Sequence, residues 1–315
     1  MTEPGVRDQA SILVPLDGSP LAEQAIPCAS ALAGEDAQLL FVQVTLVPEA
    51  VRGTLGDVTA SREEVAATYL EAGQRELRQA AERWQAVAPR VEIEVVAGDA
   101  AEEILRVCQE RGCELIALAT HGRGAFGRWT FGSVADRIAR ASTVPILLVR
   151  PRDAEAEIRR PDVRRLVVPY DGSELAAEAV PVARRLAIRL GVAIHLIQAI
   201  SSSAITMPYS SMEAAYSAEI IAELDQQMEQ EAQASLDEIA QPLASAGVKV
   251  STAVVTGDAA GAIDEATTDG DLVVMTSHGR TGVRRWLLGS VAEKLVRDGS
   301  GPVVLVPAST RAKGE

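Results

Sequence analysis

Glycine stands beside serine at the opening of a predicted helix twice, in Gly132-Ser133-Val134 and in Gly289-Ser290-Val291. Glycine lets a ligand approach the backbone, and serine adds a hydroxyl. The first-turn N–H groups of such a helix point outward with the positive end of its dipole. That combination suits a phosphate. Another glycine, Gly122 or Gly279, precedes each pair with nine residues between, with His121 or His278 before it and Arg123 or Arg280 after it. Local charge agrees: Ala119 to Arg140 carries +3 and Thr276 to Arg297 carries +4, in a chain of net −14. The alternative is a plain helix start with solvated arginines.

Other residues invite chemistry less strongly. Asp17-Gly18 and Asp171-Gly172 follow Pro15 and Pro169 at the end of a β-rich run. The aspartates can bond a ribose hydroxyl, help hold a metal, or only shape an Asx turn. The two histidines can contact phosphate or move a proton, but neither has a partnered nucleophile. Asp99 and Asp258 are expected to cap helices, and Trp129 and Trp286 to anchor a core. The sequence holds no G-x-S-x-G, H-E-x-x-H or Walker A motif, so no catalytic set and no metal set is assigned. Gly122 to Gly127, GRGAFG, fits the G-x-G-x-x-G of a dinucleotide turn. Its counterpart GRTGVR does not, and the stretch follows a fourth strand rather than opening a first βαβ unit.

The elements that must position these residues come in duplicate. SILVPLDGSPLAEQAIP at Ser11 to Pro27 returns 154 residues later as RLVVPYDGSELAAEAVP. VVAGDAAEEI at Val95 to Ile104 returns 159 residues later, and the histidine loop 157 residues later. A nearly constant offset means two domains of one fold, expected at 8–151 and 163–309, with a charged, proline-bearing linker at 152–162. Each half reads as five apolar strands alternating with helices, which means a parallel sheet covered on both faces. In the first half Val65, Tyr69, Leu77, Ala81 and Trp84 recur at helical spacing. Ligands of such sheets bind beyond the carboxyl ends of the strands. Those ends carry DGS, GDA and HGR.

Composition sets bounds. With 315 residues, 47% hydrophobic but only 3% aromatic, the cores must be aliphatic. Net charge −14 disfavours nucleic acid and anionic membrane as partners. No apolar run reaches the roughly 18 residues of a membrane span, and the N-terminus does not read as a signal peptide. Cys28, Cys108 and Cys113 are odd in number and lack C-x-x-C spacing, which points to buried thiols in a reducing, cytoplasmic setting.

Together the V-P-x-D-G-S openings, the Gly-Asp-Ala turns and the Gly-x9-Gly-Ser spacing resemble the universal stress protein family, in a tandem arrangement covering nearly the whole chain. The family's signature is Gly, two residues, Gly, nine residues, Gly, then Ser or Thr. The resemblance implies an α/β, Rossmann-like fold in each half: a five-stranded parallel sheet of order 3-2-1-4-5 with helices on both faces. It implies an ATP site in each domain, with or without Mg2+. Pro15, Asp17 and Gly18 would lie beside ribose and adenine, with Val44 against the base. Ala119, His121, Gly122, Arg123, Gly132, Ser133 and Val134 would surround the phosphates. The second set would be Pro169, Asp171, Gly172, Ala199, Thr276, His278, Gly279, Arg280, Gly289, Ser290 and Val291.

The signature's first glycine is Ala119 in one half and Thr276 in the other. A methyl, and more so a β-branched side chain, narrows the pocket if close backbone approach is needed. Ala199 in place of Val44 removes apolar contact with a base. The expected role is a cytoplasmic, ATP-binding stress sensor or regulator. Its expected partners are an adenine nucleotide, the chain's own second domain in a pseudo-dimer, and a second copy in a homodimer. One alternative is an interaction scaffold with vestigial pockets, recruiting partners through the variable segments Val47 to Arg62 and Ser201 to Glu219. The last is a slow ATP hydrolase, for which no general base or metal cluster stands in the motifs.

Overall fold

Aliphatic runs that are apolar on both faces become the central strands, as expected for a sheet with helices on either side. The computed structural model describes residues 11–34, 38–46, 51–52, 58–60, 62–120, 132–150, 160–201, 218–277, 289–299 and 301–308. The chain divides into two units, Met1–Pro161 and Asp162–Glu315.

In the first unit, β1 (Ser11–Pro15) leads into α1 (Pro20–Glu23) and α2 (Ala25–Ala33). Then follow β2 (Gln38–Thr45), a hairpin of β3 (Val51–Arg52) and β4 (Val58–Ala60), and α3 (Arg62–Arg83). The unit closes with β5 (Val91–Ala97), α4 (Ala100–Arg111), β6 (Leu115–Ala119), α5 (Ser133–Ala141) and β7 (Ile146–Val149). The main sheet is parallel, in the order β5-β2-β1-β6-β7. Setting the hairpin aside, that is third, second, first, fourth, fifth.

The second unit repeats the plan: β8 (Arg165–Pro169), α6 (Glu174–Ala177), α7 (Ala179–Leu190), β9 (Ala193–Ile200), α8 (Ala218–Ser245), β10 (Val250–Thr256), α9 (Ala259–Ala266), β11 (Asp271–Thr276), α10 (Ser290–Asp298) and β12 (Val303–Val306). Its parallel order β10-β9-β8-β11-β12 is the same. The core is aliphatic in both units. Ile12, Leu13 and Val14 of β1, and Leu166, Val167 and Val168 of β8, are fully buried.

Helix α3 shows why spacing alone misplaces a face. Val65 and Leu77 are buried, but Tyr69 is 43% exposed and Ala80 rather than Ala81 points inward. Trp84 lies just past the helix, and its indole N–H donates to Glu23 at 2.8 Å. The Arg83 guanidinium bonds the same carboxylate. The Glu23 carboxylate, 8% exposed, thus has two donors under α3.

Gly73 permits the close approach of α3 to the sheet. A Cβ there would lie 2.8 Å from Val95 Cγ1 and 3.2 Å from Gln43 Oε1. Gly73→Leu is expected to lower stability by about 1–3 kcal/mol, the cost of overpacking a filled space. A urea midpoint that does not fall would show that the helix can lift off without penalty.

Candidate functional site

The first strand of each unit delivers an aspartate to the carboxyl end of the sheet. Past Pro15, the Leu16 N–H still donates to Val42 O at 2.8 Å, so the ladder holds to the strand's last residue. Asp17 Oδ1 then accepts from the Ser19 N–H (2.9 Å) and from Ser19 Oγ (2.5 Å). Gly18, at φ +80°, makes the turn that an L side chain resists. Ser19 Oγ in turn accepts the Ala22 N–H and caps α1. The second unit repeats this with Asp171, Gly172 at φ +81°, and Ser173, at 3.0 Å and 2.6 Å. The Asx turn is real in both units, and both aspartates also line a cavity.

The opposite wall is a helix start without a side-chain cap. In α4 and α9 the first-turn N–H groups are met by Asp99 and Asp258. In α5 and α10 the cap residues are Gly132 (φ −59°, ψ 145°) and Gly289 (φ −58°, ψ 153°), and no side chain among the described residues takes that place. Gly289 is pinned from behind by its own N–H, which donates to Ser277 O at 2.7 Å. Each helix thus presents orphan donors and the positive end of its dipole.

Between these walls each unit holds a cavity of about 220 Å³. In the first unit it brings together the expected Pro15, Asp17, Val44, Ala119, Ser133 and Val134. In the second it brings together Pro169, Asp171, Ala199, Thr276, Gly289, Ser290 and Val291. Gly18, Gly132 and Gly172 shape the adjoining backbone but are not in the lining. His121, Gly122, Arg123, His278, Gly279 and Arg280 lie outside the described residues.

Sequence reading missed the apolar wall. Val42, Ile104 and Leu118 line the first cavity, and Ile197, Ile263 and Met275 the second. Strand alternation was the available signal for one pair, since Val42 and Ile197 stand two residues before Val44 and Ala199 and share their face. Thr276 does not come with a smaller space than Ala119. Ile197 for Val42 restores at a neighbouring position the bulk that Ala199 gives up.

The basic stretches need correction. Arg137 pairs with Asp99 (2.6 Å) and Glu102 (3.2 Å), and Arg140 with Asp136 (3.1 Å). Lys294 pairs with Asp258 (2.6 Å), and Arg297 with Glu293 and Asp298. The Arg137 hydrogen bond, with the Glu102 N–H, holds the Asp99 carboxyl below its usual range. Lys294 and the Gly261 N–H do the same for Asp258. Charge counted along one stretch overlooked partners on the neighbouring helix. The four described cations of these stretches are thus already partnered, while Arg123, Arg128, Arg280, Arg284 and Arg285 lie outside the described residues. Among the described residues no group of three or more His, Cys, Asp or Glu converges to hold a metal.

A model of the universal stress protein family matches residues 10–150 and 162–307. The chain belongs to the universal stress protein family. A universal stress protein of Methanocaldococcus jannaschii is 32% identical over 145 residues, 45% of this chain and 81% of that protein. One from Mycobacterium bovis is 30% identical over 202 residues, and the match spans 62% of each chain. The crystal structure of a universal stress protein from Archaeoglobus fulgidus has the same fold. It is 19% identical, with a TM-score of 0.64 over 95% of this chain and 99% of that one. No helix among the described residues is long and apolar enough to cross a membrane.

Proposed function

We propose that each domain binds ATP and that the chain is a nucleotide-responsive regulator of a cytoplasmic stress response. The observation that supports it best is the start of α5 and of α10, which no described side chain caps, each facing a cavity with an apolar wall and an aspartate at its edge. The three surfaces suit the three parts of a nucleotide. Val42, Val44, Ile104 and Leu118, or Ile197, Ala199, Ile263 and Met275, suit a base. Asp17 and Asp171 suit a ribose hydroxyl. The N–H groups of Ser133 and Val134, or Ser290 and Val291, with the serine hydroxyls, suit phosphate oxygens. Mg2+ would be carried by the nucleotide. Turnover is not part of this reading, because Oδ1 of each aspartate is already engaged by a serine.

The test is the nucleotide content of protein purified without added ligand, released by heat and resolved by chromatography. About one adenine nucleotide per competent domain is expected. Protein that carries none, and takes up none on incubation with ATP, would point instead to an interaction scaffold.

A further inference from the structure

All three cysteines fall in the first domain, and two of them meet. Helix α4 ends in Cys108-Gln-Glu-Arg-Gly112-Cys113. Gly112 takes the left-handed conformation, at φ 64° and ψ 39°. Its N–H donates to Gln109 O at 3.2 Å, and the Cys113 N–H donates to Cys108 O at 2.9 Å. That pair of bonds is the Schellman closure, which commonly brings together the side chains of the two residues joined by the outer bond. Here the packed side chains are two thiols. Standard bond dimensions and the 2.9 Å bond limit their Cα separation to at most about 6.8 Å, and disulfides span roughly 4.4–6.8 Å.

The side chains agree with the backbone. Cys108 Sγ lies 3.9 Å from Cys113 O, and both residues are 4% exposed. The neighbouring thiol is the largest influence on each, pushing Cys108 up together with its burial and pulling Cys113 down. The Ser11 hydroxyl and Arg111 further favour the Cys113 thiolate, against its burial and the nearby Glu94 carboxylate. These opposed directions favour Cys113 over Cys108 as the attacking sulfur. In the second domain α9 closes at an extended Thr267, with no cysteine near. The pair is not a requirement of the fold.

We propose that Cys108 and Cys113 form a two-electron redox pair that closes a disulfide across the end of α4 on exposure to hydrogen peroxide. The Cys113 thiolate attacks one peroxide oxygen and the O–O bond breaks. The departing hydroxide takes a proton and leaves as water, and Cys113 becomes a sulfenic acid. The Cys108 sulfur then attacks the Cys113 sulfur. The S–O bond breaks, and the hydroxyl leaves as a second water with the Cys108 proton. Two thiols lose two electrons, and one peroxide becomes two waters. Peroxide is small, and the last turn of a helix is where local opening costs least. Oxidation would lock α4, whose first turns supply Ala100 and Ile104 to the first cavity alone.

The folded full-length chain is treated with peroxide, its remaining thiols are alkylated, and it is digested with trypsin without reductant. The expected product joins Val107–Arg111 to Gly112–Arg123, is lighter by two hydrogens than the two peptides, and separates on reduction. Cys108→Ser should instead leave Cys113 as a sulfenic acid trapped by dimedone, and Cys113→Ser should give neither product. Two results would overturn the pair. One is the absence of the joined peptides at a peroxide dose that oxidises the partly buried Cys28. The other is their formation only after denaturation.

Discussion

Replacing Gly132 with valine and Ser133 with alanine in one chain is expected to weaken ATP binding by the first domain about 100- to 1,000-fold, or about 3–4 kcal/mol. Three losses combine. The serine hydroxyl goes. The branched side chain covers first-turn N–H groups that no described side chain caps. A phosphate kept away from the helix start loses the dipole's attraction, about 0.3–1 kcal/mol in exposed settings and up to about 2 when partly buried. The fold should survive, because Gly132 sits at φ −59° and ψ 145°, extended backbone that valine adopts readily. Gly289 and Ser290 remain in the same molecule as an internal control. Titration should therefore show the stoichiometry fall from two to one. Two sites of unchanged affinity would mean that the helix start does not hold the phosphates.

Arg165→Leu is expected to destabilise the second domain by about 3 kcal/mol at neutral pH, the low end for breaking a buried ion pair because the arginine is itself partly exposed. Asp271 is 6% exposed. It accepts from Arg165 Nε (3.0 Å) and Nη2 (2.5 Å), and from the Thr268 N–H and hydroxyl. Burial alone would raise its pKa, but these bonds, Arg165 first, bring it below the usual value. A carboxylate with a depressed folded pKa stabilises above its unfolded pKa, near 3.9, and loses that contribution as pH falls through the folded value. Without Arg165 only burial and Thr268 remain. The carboxyl then prefers its proton, and the penalty eases on acidification.

The gap between wild type and variant should therefore narrow from pH 7 to pH 4. Hydrogen exchange of peptides from β8 and β11 would measure it. The first domain has Ser11 and Glu114 at these positions and serves as the control. His195, whose pKa burial and Arg165 both lower, should titrate higher in the variant. A gap that is absent at pH 7, or constant with pH, would contradict this account of the pair.

What could be read from the sequence was what repeats. The DGS, GDA and GS corners recur at nearly fixed offsets, and each lies at a strand's carboxyl end because a parallel sheet puts all those ends on one side. That was enough for a parallel sheet in each half and for one side of each cavity, while the strand order came with the family resemblance. Ile104, Leu118 and their counterparts were not legible, since an apolar residue in a buried element gives no sign of facing a cavity rather than a neighbour. The Arg137–Asp99 pair was hidden by its 38-residue separation. Tyr69 was misplaced because a 3.6-residue period leaves the edge of a helical stripe ambiguous. Cys108 and Cys113 looked unrelated because C-x-x-C was the pattern sought. The glycine just before Cys113 was the usable sign, for it turns the chain back onto the helix. The hairpin β3–β4 left no mark in a segment that reads as a variable loop.

The central claim is tested most directly by titrating ATP into the nucleotide-stripped full-length chain and following the heat. Two sites per chain, one of them lost in the Gly132/Ser133 variant and the other in the matching Gly289/Ser290 variant, is the predicted result. No saturable heat at millimolar ATP, from protein whose fold is intact by circular dichroism, would contradict it.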